Sequence, residues 1–159
     1  ASVERQHVID TKMGDRDLWG LYREGDRGAV AILPVRNGVM GEPRTSILDP
    51  LVGSDAEVLS TLLNTTYRDD VLIPSEIGLT TDLPQREALV EVLSERRGKK
   101  VQIRTPKRGN KARLLGLAQE NARIYWLAQT DEEARHRNAM NALAEALELR
   151  VAVPLSTRL

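Results

Sequence analysis

Cysteine and phenylalanine are both absent from these 159 residues. Without cysteine there is no disulfide and no thiolate metal site, which fits a reducing, cytoplasmic setting. Without phenylalanine, and with only two Trp and three Tyr, the core has to be filled by Leu, Val, Ile and Ala. Histidine occurs only at His7 and His136. They are far apart in sequence and in polar surroundings, so both read as exposed, and a transition metal would lack its preferred ligands. No metal or other cofactor is expected. No apolar run approaches the ~20 residues that span a bilayer, so no membrane association is expected. The opening ASVERQHVID carries no secretory apolar stretch. It also lacks an initiator Met, and an excised piece of a longer protein is the expectation. The GxxxxGK[ST] phosphate loop is missing, although Gly109-Asn110-Lys111 contains a GxK fragment. Ser75 has no nearby His in the sequence to activate it as a nucleophile.

Charge of one sign is missing locally. The chain holds 23 basic and 23 acidic residues. Residues 96–113, RRGKKVQIRTPKRGNKAR, contain nine Lys or Arg in eighteen positions and no Asp or Glu, leaving 14 basic and 23 acidic side chains elsewhere. A concentrated basic strip therefore sits in an otherwise acidic protein.

The hydrophobic pattern fits one domain of ordinary size. Residues 1–16 read as a polar lead-in. Asp17–Glu24 reads as a strand with Leu18 and Gly20 on one face and Trp19, Leu21 and Arg23 on the other. Gly28–Arg36 reads as a more buried strand. Asn37-Gly38 is a strong hairpin signal, because both turn positions need positive φ, and Val39–Leu48 returns as a third strand. Ser54-Asp55-Ala56-Glu57 has the form of a capping box, followed by Val58, Leu59, Leu62, Leu63 and Tyr67 at helical spacing. Val71–Leu79 reads as a short strand interrupted by Pro74. Asp82–Arg97 reads as a helix with Pro84 near its first turn and Gly98 at its C-cap. Lys100–Arg104 is a fifth strand. From Lys111 a helical pattern runs to about Glu148; Thr130-Asp131-Glu132-Glu133 leaves open whether it is one helix or two.

The order β-β-β-α-β-α-β-α implies an α/β (α+β) fold with a mixed five-stranded sheet, helices on its faces and a long C-terminal helical segment. A ribonuclease H-like fold has this order, with its first strand central. A ferredoxin-like fold would begin β-α-β, and the hairpins argue against it.

Two stretches, IPSEIGL and LSERRGKKVQIRTPKRGNKARLLGLAQENA, resemble the central region of the bacterial UvrC family, the incision component of the excinuclease that carries out nucleotide excision repair. The resemblance covers roughly residues 15–125 and is most specific over 71–79 and 94–122. It implies a segment between a helical pair that contacts the excision-repair partner UvrB and the C-terminal endonuclease, in a protein of the DNA-damage (SOS) response. The family's GIY-YIG nuclease motif is not in this chain, and neither is the Phe-Asp motif that opens the C-terminal nuclease. The implied organisation is a lead-in over 1–16, a ribonuclease H-like central domain over 17–128, and a helical extension over 129–159 leading toward the next nuclease.

A two-metal nuclease of this fold needs about four carboxylates around ions ~3.5–4 Å apart, the first in the middle of the first strand. That position here is Trp19-Gly20-Leu21-Tyr22. Asp17 and Glu24 lie at the strand's two ends, roughly 20 Å apart; Glu57 is explained by its cap, and Glu76 follows Pro74-Ser75. The segment is expected to be non-catalytic.

The basic strip can be a solvated face, but its lack of acids and its place before a helix point further. Asn110 reads as an N-cap, with Lys111 and Arg113 in the first turn and Lys107 and Arg108 just ahead. Cations there oppose the helix dipole by a few tenths of a kcal/mol each, unless an anion occupies the site. Gly109 permits close approach of the backbone, and Pro106 stiffens the loop. The candidate DNA-phosphate ligands are Lys99, Lys100, Arg104, Lys107, Arg108, Gly109, Asn110, Lys111 and Arg113. With Tyr125-Trp126 the sole aromatic pair, stacking on bases is not expected, and binding would be weak and indifferent to sequence. The expected function is a platform that orients flanking nuclease domains of the same chain and touches the DNA backbone. The alternative is an interdomain docking platform without DNA contact.

Overall fold

The computed structural model describes residues 7–8 and 14–157, with side chains over 14–150. The chain divides into two compact units, residues 1–125 and 126–159. The first unit holds the sheet. Its strands are β1 (His7–Val8), β2 (Arg16–Glu24), β3 (Arg27–Arg36), β4 (Val39–Met40), β5 (Arg44–Leu48), β6 (Glu76–Leu79) and β7 (Gln102–Arg104); its helices are α1 (Asp55–Thr66), α2 (Arg86–Arg97) and the start of α3 (Gly109–Thr157).

β2 is central. It pairs antiparallel with β3 and parallel with β6, and β7 continues the sheet parallel to β6. The outer edge of β3 is shared, β4 lying at one end and β5 at the other. This is the mixed α/β arrangement expected from the element order, with the first long strand in the middle, but the sheet has seven strands where five were expected.

The details follow from local chemistry. Asn37 and Gly38 have φ of 53° and 75°, the positive values their hairpin turn requires. The expected strand Val39–Leu48 is split, because Gly41-Glu42-Pro43 interrupts the ladder and Pro43 has no N–H to give it; Gly41 instead donates to the Pro34 carbonyl at 2.8 Å. The lead-in contributes β1, which pairs with β4. The strand read at 71–79 is confined to Glu76–Leu79, after Pro74. The helix read from Asp82 starts at Arg86, past Pro84. Ser54 Oγ accepts from the Glu57 amide at 3.2 Å to cap α1, and Gly98, at φ 79°, closes α2 in the left-handed region.

Alternation along β2 sends side chains to two cores. Trp19 and Leu21 join Val30, Ile32, Leu59, Leu63, Ile77 and Leu93 under α1 and α2. Leu18 packs with Leu33, Val35, Leu114, Leu115 and Ala118 on the opposite face, beneath the first turns of α3. There α3 approaches very closely. A Cβ on Gly20 would lie 2.3 Å from the carbonyl carbon and oxygen of Ala118 and 2.4 Å from the Gln119 nitrogen. β6 pairs with β2 only as far as Trp19, and beyond it Gln119 serves as a substitute strand. Its Oε1 accepts from the Leu21 amide at 2.9 Å, and its Nε2 donates to the Leu21 carbonyl.

The second unit is the remainder of α3, which is one helix and not two. Thr130 does not cap a new helix; its hydroxyl donates back to the Trp126 carbonyl at 2.9 Å, within the same helix. Met140, Leu143 and Leu147 are each about half exposed on it. No helix among the described residues is long and apolar enough to cross a membrane.

Candidate nucleic-acid interface

The basic strip runs from the end of α2 through β7 to the start of α3, and the structure sorts its nine cations into three groups. Arg96 and Arg97 are braces. Arg96 donates to the carbonyls of Asn64 and Tyr67, both at 2.9 Å, and to Asn64 Oδ1 at 2.7 Å, tying α2 to the end of α1. Arg97 donates to the Ile73 carbonyl at 3.0 Å and the Lys100 carbonyl at 2.9 Å. Lys99, Lys100, Lys107, Arg108 and Arg113 form the second group; their side chains are exposed and have no acid within reach among the described residues.

Arg104 and Lys111 form the third group and correct the sequence reading, which took the strip to be without an acidic partner. Both reach Glu76. Arg104 Nε lies 3.2 Å from Glu76 Oε1, and Lys111 Nζ lies 3.2 Å from Oε2. Arg16 meets Oε2 from the neighbouring strand. The parallel register sets Arg16 beside Glu76 and Glu76 beside Gln102, which brings three distant segments together. Arg104 is held a second time, since Gln102 Oε1 accepts from its Nε at 3.0 Å and its Nη2 at 2.9 Å. Arg16 and Glu76 are buried, whereas Arg104 and Lys111 remain 59% and 41% exposed. One carboxylate thus faces three cations and leaves a local surplus of positive charge. Beside it lies a groove of about 300 Å³ lined by Arg16, Ser75, Glu76, Lys100, Gln102 and Lys111.

Of the other candidates, Gly109 begins α3 with a φ of 78°. The range of α3 starts one residue ahead of the cap read at Asn110, and Asn110 lies exposed in its first turn. Ser75 donates to the Asp15 carbonyl at 2.8 Å, fixing the loop before β6. Larger clefts, of about 430 and 510 Å³, flank α1 and carry single acids, Glu57 and Asp49, with no cation among their lining residues. His136 is exposed, and the side chain of His7 lies outside the described residues. Trp126 is buried and Tyr125 half-buried.

The second buried acid belongs to a different network. Asp17 is fully buried on the α1 side of β2. Its Oδ1 lies 2.9 Å from Arg36 and its Oδ2 3.8 Å from Arg44, while Tyr67 donates its hydroxyl to Oδ2 at 2.5 Å. Trp19 Nε1 in turn donates to the Tyr67 oxygen at 2.9 Å. Burial, reinforced by the neighbouring Asp17 charge, pushes the Tyr67 phenol well above its ordinary value. Because Arg16 pairs with Glu76 and Asp17 with Ile77, Asp17 and Glu76 point to opposite faces of the sheet and cannot share an ion. Among the described residues no three of His, Cys, Asp and Glu come together. Arg16, Arg36, Arg44 and Gln102 were not foreseen in these roles, since the register that recruits them is not written in any local pattern.

A family model described as "UvrC Ribonuclease H-like domain" matches residues 15–129. The chain is 39% identical over 148 residues to the UvrABC system protein C of Anaeromyxobacter dehalogenans (strain 2CP-1), covering 93% of this chain and 21% of that protein. It is 38% identical over 149 residues to the UvrABC system protein C of Syntrophotalea carbinolica, covering 93% and 24%. Against the protein of that name from Thermus thermophilus it is 33% identical over 149 residues, covering 94% and 25%. The chain spans between a fifth and a quarter of the length of these relatives.

Proposed function

Because the chain belongs to the UvrC ribonuclease H-like domain family, we propose that it is a non-catalytic platform within a DNA-incising component of nucleotide excision repair. It orients flanking nuclease domains, acts in the cytoplasm alongside the excision-repair partner UvrB, and touches the DNA backbone through the basic strip. The ribonuclease H-like part of this platform is taken as 17–128, with 129–159 leading toward the following domain.

The observation that carries the non-catalytic reading is the closure at Gly20. A nuclease of this fold needs a carboxylate in the middle of the central strand, directed at the ions. At that place the backbone of α3 lies against Gly20 and would collide with any Cβ. The nearest buried acids, Asp17 and Glu76, face opposite sides and are each engaged by arginines. The expected result in Mn²⁺ calorimetry and in a duplex-nicking assay is no tight binding and no cleavage. Tight binding or cleavage that disappears on Asp17→Asn or Glu76→Gln would overturn the reading.

The DNA contact rests on the five exposed cations without acidic partners and on Lys111, which is part-exposed beside Glu76. A labelled duplex and a labelled single strand, titrated across a salt series, should bind weakly and release as salt rises. Replacing Lys107, Arg108 and Lys111 together by Ala should flatten the logarithmic salt slope by roughly 0.7–0.9 for each phosphate no longer neutralised. No binding at low salt, or an unchanged slope, would instead assign the strip to docking on an acidic face of another domain.

A further inference from the structure

Glu76 would be expected to weaken any attraction of this surface for nucleic acid, since among the described residues it is the one acid that meets the strip's cations. Its geometry argues the opposite. We propose that Glu76, with Gln102, is a positioning residue that locks Arg104 and Lys111 into a paired cationic jaw, and that the adjoining groove seats one DNA backbone phosphate. The inference rests on the DNA-contact reading above and names the subsite within it.

Three features lead to it. First, Arg104 is held from two directions. Gln102 Oε1 takes its Nε and Nη2, and Glu76 lies 3.2 Å from the Nε. Its Nη1 is the edge left open, and a guanidinium fixed in this way loses less freedom when it grips an oxygen anion. Second, Lys111 directs its ammonium at both Glu76 oxygens, at 3.3 and 3.2 Å, and retains a donor. Because Gln102 turns its oxygen to Arg104, its amide nitrogen is left as a donor as well. Third, the groove bears Arg16, Lys100 and Lys111 against the single charge of Glu76, and Arg104 adds a fourth cation at the same carboxylate. Cations crowded on one acid repel each other, and an incoming anion relieves the excess. A phosphate suits the site better than a carboxylate of another protein, having several oxygens for several separate donors. Lys107, Arg108 and Arg113, exposed and within four positions of Lys111 in the chain, would take neighbouring phosphates of the same strand.

The sign of one substitution decides the question. Glu76→Gln removes one negative charge and so raises the net charge of this region by one. If Glu76 merely neutralises, duplex affinity rises; if it positions, affinity falls, by about threefold or more at fixed salt, despite the added charge. Arg104→Gln and Lys111→Gln, at half-exposed positions, should each weaken binding and flatten the salt slope by about 0.7–0.9. Thermal melts accompany each variant. Should Glu76→Gln fail to fold, with Arg16 buried beside it, Gln102→Met decides instead. It changes no charge and should weaken duplex binding without altering the salt slope by a full phosphate. Inorganic phosphate at constant ionic strength should compete better than chloride but only at high concentration, since it fills one seat and none of the neighbouring ones. Tighter or unchanged binding by the folded Glu76→Gln variant, or by Gln102→Met, would overturn the positioning role while leaving the DNA contact standing. Displacement of the duplex by low phosphate would assign the seat to the free ion, and displacement by an acidic peptide but not by phosphate would assign it to a protein partner. Absence of duplex binding by the parent at low salt would remove both readings.

Discussion

At the level of single residues, the network around Tyr67 shows how a buried charge is tolerated. Asp17 is fully enclosed, and it is held by a phenol that is itself anchored by Trp19, with Arg36 and Arg44 alongside. Tyr67 must remain neutral to donate to Asp17, and ionising it would set two negative charges together. Its raised pKa means that the native state retains a proton which the unfolded chain releases near its ordinary value of about 10. The resulting stability is fully present below that value and is lost as pH rises toward the folded pKa. Denaturant midpoints should therefore fall above about pH 10, and Tyr67→Phe should lessen that alkaline fall. At neutral pH the same substitution should cost about 1–3 kcal/mol, because Asp17 loses a donor and Trp19 an acceptor. Absorbance titration should find one of the three tyrosines ionising only on unfolding. Gly20→Ala belongs here too. Its Cβ would meet backbone at 2.3 Å, and backbone cannot rotate aside, so destabilisation of about 1–3 kcal/mol or more is expected in urea unfolding.

Among the elements, most boundaries were legible where local chemistry sets them. The Asn37-Gly38 turn, the Ser54 cap, the Gly98 cap and the two faces of β2 all depend on residues within a few positions of one another. Proline is where the reading extended elements too far: Pro43 and Pro74 cannot donate to a ladder, and Pro84 disfavours the helical conformation of Leu83 before it, so that α2 begins later. The join between β2 and α3 was not legible, because Gln119 completes the hydrogen bonding of Leu21 from 98 positions away. Gln119→Leu should leave the Leu21 amide and carbonyl without partners at a half-buried site and cost about 1–3 kcal/mol, with faster hydrogen exchange at Leu21 as its signature. Ser54→Ala should cost about 1 kcal/mol and fray α1 alone, which amide exchange can localise.

Across the whole molecule, zero formal net charge conceals a strong separation of charge. The strip's charges are all Lys and Arg, and it contains no histidine. Duplex affinity at fixed ionic strength is therefore expected to change by less than about twofold between about pH 6 and pH 9, as an anisotropy titration would reveal. A larger change would place a histidine in the contact.

The order of residues along the chain was enough to set the order of the longer strands and of the helices, the alternation that gives the sheet two covered faces, and the existence of a basic strip with no acid within it. These are short-range properties, fixed by turn chemistry, side-chain periodicity and composition. Which cations are spoken for emerged from the folded arrangement alone. Arg16, Glu76, Arg104 and Lys111 are far apart in the chain and meet because β2, β6 and β7 pair in parallel with one particular register. That register follows from the burial of Trp19, Ile77, Leu79 and Ile103 together under α1 and α2, a choice made by the core as a whole and by no segment of it alone.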